Sequence, residues 1–139
     1  MKYKINNEKI EYLKMVQEVI ERMSTISSVF KGFSITVVIA LITIIEKIFL
    51  SKIWILWIFL VPLFVLMFLD VYYLSLERKY RKLYEEIRTD IHDIDFSLEI
   101  PKNNDKYKIN FLDCLKSKSI LFFHLLIIIM YLIVCIFIK

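Results

Sequence analysis

Three apolar runs, each close to the length of a bilayer crossing, dictate most of what this chain can become. Residues 29–50 read VFKGFSITVVIALITIIEKIFL, residues 53–74 read IWILWIFLVPLFVLMFLDVYYL, and residues 119–138 read SILFFHLLIIIMYLIVCIFI. A helix rises about 1.5 Å per residue and a hydrocarbon core is about 30 Å thick, so roughly 20 apolar residues cross it. The third run, between Lys118 and Lys139, supplies a full crossing. The first is shorter: Lys31 and Glu46 stand only about 22 Å apart along a helix, so both ends must snorkel or thin the bilayer. The second carries Trp54 and Trp57 at one end and Tyr72 and Tyr73 at the other, the positions of aromatic belts. Apolar residues make up 58% of the chain, with one Gly and two Pro, and the mean hydropathy is +0.60. A soluble domain is about 45–50% apolar and richer in turn residues. Lipid offers the backbone no hydrogen-bond partner, so helices must do the spanning. The expected fold is an all-α membrane protein with three transmembrane helices and a cytoplasmic antiparallel helical stalk.

Charge sets the expected orientation. Residues 1–31 hold six Lys and Arg and residues 75–118 hold ten, against Lys47, Lys52 and Lys139 elsewhere. The positive-inside rule then puts the N-terminus and the long middle segment in the cytoplasm and the 46–52 turn outside. The chain is predicted to be a multi-pass membrane protein with its N-terminus cytoplasmic. No secretory leader is expected, since residues 1–28 are charged and show no short apolar core. The pI of about 9.0 reflects basic residues that flank apolar spans, and no direct nucleic-acid binding is expected. Cys114 and Cys135 would lie near opposite bilayer faces, too far apart for a bridge.

Outside the spans the pattern is amphipathic. Tyr12, Val16, Val19, Met23, Ile26 and Phe30 form an apolar stripe on a helix over residues 7–30, with Glu8, Glu11, Glu18, Glu21 and Arg22 opposite. The second span continues past the membrane with a matching stripe, Leu69, Tyr73, Leu76, Tyr80, Leu83 and Ile87. Two such stripes bury each other most simply as an antiparallel pair. A membrane-surface helix is the rival for residues 7–30, although a surface binder would carry a more basic polar face. Residues 92–117 predict a short extended piece at Asp95–Ile100, a loop around Pro101, Asn103, Asn104 and Asp105, and a helix capped by Asn110 that runs toward the third span. The resulting division is a cytoplasmic helix at 1–31, a transmembrane hairpin at 32–76, a cytoplasmic extension and loop at 77–117, and a third transmembrane helix at 118–139.

Four polar groups share one depth. Asp70 lies about 24 Å inward from Trp54, roughly one turn short of the cytoplasmic rim. His124 is about 9 Å past Lys118, and Ser34 and Thr36 are about 4 to 8 Å past Lys31. Ionisable groups within a span face a partner or water, so Asp70 is expected to pair with His124, in the same subunit or a neighbour. The plainer alternatives are that Asp70 snorkels to the headgroups and that His124 serves helix packing. Glu46, beside Lys47, reads as an interface residue.

No enzyme, cofactor or metal site is expected: the chain has no Gly-rich phosphate loop, no metal-ligand spacing and no nucleophile with a recognisable base. Arg88 and His92, in R-T-D-I-H, come one residue short of the R-x(4–6)-H ribonuclease signature of the HEPN superfamily. The run ERKYRK, residues 77–82, reads as a juxtamembrane anchor for anionic lipid. A sharper reading makes it a phosphate-ligand site, with Arg78, Lys79, Arg81 and Lys82 holding charge and Tyr80 or Tyr84 stacking a base.

At LDVYYLSLERKYRKLYEEIR, residues 69–88, the chain resembles small multi-span membrane effectors of bacterial anti-phage defence loci, those associated with cyclic-nucleotide signalling or CRISPR genes. Leu69, Asp70, Tyr72, Tyr73, Leu74, Glu77, Arg78, Tyr80, Arg81, Leu83 and Tyr84 match a pattern close to L-D-x-Y-Y-L-x-x-E-R-x-[FY]-R-x-L-Y. Residues 17–36, QEVIERMSTISSVFKGFSIT, are similar too. The resemblance implies a multi-pass homo-oligomer of the bacterial inner membrane that permeabilises or depolarises it under regulation; it does not name the signal, for which a cytoplasmic signalling partner or a cyclic nucleotide is the candidate. The alternatives are a non-conducting anchor or accessory subunit that regulates a soluble partner, and a phage holin.

Overall fold

The computed structural model describes residues 7–47, 54–91, 93–100 and 107–137. It is all-helical, with no strand among the described residues. Four helices follow in order: α1 (Asn7–Lys47), α2 (Trp54–Arg88), α3 (Phe111–Leu115) and α4 (Lys118–Phe137). At 41 and 35 residues, α1 and α2 are about 60 and 50 Å long, far more than a bilayer core. Both are long and apolar enough to cross a membrane, and α4 contains a shorter apolar stretch, Lys118–Ile133.

α1 and α2 run antiparallel along their length. Near the start of α1, Tyr12 and Val16 pack with Leu83 and Ile87; near its end, Val38 and Leu41 pack with Leu60 and Leu63 of α2 and with Ile127 and Tyr131 of α4. Between them, the rings of Phe30 and Tyr73 stand 5.5 Å apart. The two heptad stripes therefore face each other, because the residues that recur every three or four positions are the ones a partner helix can bury. A third cluster, Val71, Cys114 and Ile120, joins α2 to α3 and the start of α4.

The charged ends of α1 and α2 are tied by more than apolar contact. The Ile91 N–H donates to the Glu86 carbonyl at 3.0 Å and the Asp90 N–H to that of Ile87 at 3.3 Å, with Asp90 left-handed at φ 58°. This is a Schellman ending with aspartate where glycine is usual. Lys9 secures it, its Nζ lying 2.9 Å from the Arg88 carbonyl oxygen and 2.5 Å from Asp90 Oδ1. Residues 93–100 then cover the pair with Ile94, Leu98 and Ile100. The Tyr12 hydroxyl lies 2.5 Å from the Ser97 carbonyl and 3.1 Å from Asp95 Oδ1, while Tyr107 donates to Glu86 Oε2 at 2.5 Å.

Three local expectations need correction. Residues 95–100 are irregular rather than extended, with Phe96 at φ 54° and its ring 5.5 Å from that of Tyr12. Asn110 stands at the N-cap of α3, but its side chain makes no capping bond; its carbonyl accepts from the Asp113 and Cys114 N–H groups instead. The helix also does not run into the third span. It ends at Lys116, and α4 begins anew at Lys118, the Ser117 carbonyl accepting from Leu121 N–H at 2.9 Å. Cys114 is a free, buried thiol, and the side chains of Glu46, Lys47, Trp54, Trp57 and Cys135 lie outside the described residues.

Candidate functional site

Among the described residues, Asp70 is a fully buried carboxylate with three side-chain partners. It sits on α2 with no exposed surface, and its partners come from both other long helices. From α1, the Ser27 hydroxyl donates to Oδ1, and Lys31 Nζ stands 3.0 Å from Oδ1 and 3.0 Å from Oδ2. From α4, His124 Nε2 lies 3.1 Å from Oδ2. Lys31 Nζ also donates to Ser27 Oγ at 2.9 Å, so the four groups form one closed network. A carboxylate can only accept, so the His124 tautomer that serves it carries its proton on Nε2. Among the described residues no buried side-chain nitrogen or oxygen lacks a hydrogen-bond partner.

Local sequence explains the convergence. Ser27 and Lys31 are four residues apart on α1 and share a face, and the antiparallel register brings that face opposite Asp70. His124 lies two turns into α4, beside Ile120 and Ile127, which anchor that helix in separate apolar clusters. Of the four groups expected in one polar layer, the structure brings together Asp70 and His124. Ser34 and Thr36 do not join them. Ser34 is buried but donates to the Phe30 carbonyl of its own helix at 2.9 Å, and Thr36, exposed, donates to that of Gly32 at 3.2 Å. A hydroxyl in an apolar helix that meets no partner across the interface folds back on the carbonyl four residues earlier. Ser27 and Lys31 are the members that sequence reading missed. Lys31 served there only as the marker of the rim, although its four-carbon stem lets the ammonium reach well beyond its Cα.

A second feature involves the basic run. Arg78, Arg81 and Lys82 line an open groove of about 390 Å³ together with Lys108, Ile109, Asn110 and Asp113. Spacings of three and four put those three cations on one face of α2. Arg78 Nη1 lies 3.4 Å from the Asp113 carbonyl oxygen and 3.6 Å from Cys114 Sγ, and Arg81 is held by Glu77 at 2.7 Å. Lys79 is not part of the lining. Nor are Tyr80 and Tyr84, the stacking platforms expected from the sequence beside those cations. Two and six residues past Arg78, they belong to the opposite face: Tyr80 donates to the Leu98 carbonyl at 3.3 Å, and both pack against the Tyr12 cluster. In the short ribonuclease-like spacing, Arg88 is engaged by Glu85 at 2.6 Å, and His92 lies outside the described residues.

The fold and site define an all-helical protein with two candidate membrane-crossing helices and a buried carboxylate shared by three helices. Comparison with protein-family models, with curated proteins and with solved structures finds no match to this chain.

Proposed function

We propose that the chain is a three-span protein of the bacterial inner membrane, with the charged halves of α1 and α2 forming a cytoplasmic stalk, and that it acts as an oligomeric effector permeabilising or depolarising the membrane when triggered. The observation that carries this reading is the Asp70 junction. A carboxylate without exposed surface, within a helix half otherwise lined by apolar residues, holds α1, α2 and α4 together through Lys31, Ser27 and His124. Such groups are costly in lipid and mark functional positions in membrane proteins. The helix halves beyond it support the membrane part: Phe33, Ile35 and Ile39 of α1, Phe64, Val65 and Phe68 of α2 and Phe122, Leu125 and Ile129 of α4 are exposed, far more apolar surface than a water-soluble monomer tolerates. A single three-helix unit encloses no pore, so conduction requires several copies. The junction is the natural latch, because opening a path between helices means separating the groups it joins.

Induced expression in bacteria, with membrane potential followed by a voltage-sensitive dye, tests the proposal. Depolarisation is expected, and Asp70→Asn and His124→Ala are expected to alter it more than Glu46→Gln does. Unchanged potential and growth, even with the neighbouring genes and an activating phage present, would sink the effector reading. The open basic groove favours one alternative, a non-conducting anchor for a soluble acidic partner. That protein would co-purify with its partner while liposomes containing it stay sealed.

A further inference from the structure

We infer that the groove between α2 and residues 108–113 binds a phosphodiester anion, supplied by the headgroup of an acidic phospholipid. Arg78, Arg81 and Lys82 meet Lys108 across it, and Asp113 is the one acid in its lining. Cations outnumber acids four to one in the lining, although Glu77 already pairs with Arg81 from outside it; such a lining favours an anion, and the volume of about 390 Å³ is ample for a headgroup, small-ligand sites spanning about 300–1,000 Å³. The groove is also built rather than merely charged. Arg78 is steadied by the backbone of α3 and Arg81 by Glu77, which lowers the entropy lost when a ligand is gripped.

Two sources could present that phosphate: a lipid, or a solute such as a cyclic nucleotide. The surroundings favour the lipid. Next to the groove, α3 exposes Leu112 at 63%, and the ring of Phe111 stands 4.9 Å from that of Phe68, itself 57% exposed. Those side chains offer an apolar track for acyl chains, leading toward the apolar half of α2. The aromatic rings that would hold a nucleobase, Tyr80 and Tyr84, are on the other face of the helix. Arg78 lies about 12 Å along α2 from Asp70, the depth of headgroups if the three-span reading holds. The inference rests on that reading for its membrane depth but not on conduction, and its test reads binding alone.

The full-length protein, purified in detergent and stripped of lipid, would be titrated with phosphatidylglycerol or phosphatidylcholine and bound lipid counted by native mass spectrometry. Phosphatidylglycerol is expected to bind more tightly than phosphatidylcholine, and Arg78→Gln/Lys82→Gln to weaken it about fivefold per cation removed. The charge-matched Arg22→Gln/Lys79→Gln pair, outside the groove, is expected to stay within about twofold, since charge screened by water contributes little. Lys108→Gln, on a segment outside the helices, keeps the test open should the double variant misfold, and circular dichroism checks both. Equal losses from the two pairs, or no loss from groove variants that fold, would overturn the site. Displacement of phosphatidylglycerol by 3′,5′-cyclic AMP at equal concentration would overturn its assignment to lipid.

Discussion

Asp70 would be unaffordable alone. A buried ion without partners is strongly disfavoured, and here Ser27, Lys31 and His124 converge on its two oxygens. The Lys31 side chain keeps 21% of its surface exposed, so the pair is wet at one corner and its net contribution smaller than that of a dry ion pair. The partners are what matter: Asp70→Asn leaves Lys31 and His124 facing an amide and is expected to cost about 1.5–3 kcal/mol, the range for hydrogen bonds to charged groups. Ser27→Ala removes a donor across the helix interface and should cost about 1 kcal/mol, whereas Ser34→Ala removes only a bond to its own helix and should stay within about 0.5 kcal/mol. Thermal unfolding in detergent, followed by circular dichroism, ranks the three. A Ser34 effect equal to that of Ser27 would mean that the network is not what holds the helices.

The charged half of the α1–α2 pair is closed by polar contacts that depend on protonation. Burial first, then the hydrogen bond and charge of Asp95, push the Tyr12 hydroxyl up to about 12 from its ordinary 10.0. Burial and Glu86 move Tyr107 in the same direction. A raised pKa means that the folded chain keeps a proton that the unfolded chain gives up, so the contribution is complete below about pH 10 and is lost as the pH climbs through about 12. The melting temperature is therefore expected to fall across that window. The Tyr12→Phe variant is expected to lose one late tyrosinate transition near 12 in ultraviolet absorbance and to lose part of the alkaline sensitivity. If the missing transition lies near 10, residues 93–100 do not hold Tyr12 as described. The Lys9 grip on Asp90 and Arg88 is more exposed, and salt should screen it first.

Across the whole molecule, topology is the decisive measurement. In a background with Cys114 and Cys135 replaced by Ala, Asn7→Cys and Lys139→Cys are expected to react with an impermeant thiol reagent from opposite sides of the membrane; labelling from the same side would remove the three-span arrangement. The all-helical fold and the pairing of its two long helices are legible in the sequence. The Tyr12–Phe30 and Leu69–Ile87 stripes announced their pairing, and depth counted along each helix put Asp70 level with His124, 54 positions apart in sequence. The same counting failed for Ser34 and Thr36, which share the depth but not the direction, and it passed over Ser27 and Lys31. The face that separates Arg78, Arg81 and Lys82 from Tyr80 and Tyr84 was readable from helical periodicity, yet the groove was not, because its other wall comes from residues 108–113. The break between α3 and α4 was hidden as well, since neither Gly nor Pro marks it. Sequence alone determined that apolar runs of this length become helices and which stripe each helix buries, because backbone hydrogen bonding and the 3.6-residue period are local properties. Tertiary structure decided which polar groups meet. One helical turn is about 5.4 Å and a hydrogen bond reaches only about 3 Å, so a slip of one turn between α1 and α2 would leave Asp70 without Ser27 and Lys31.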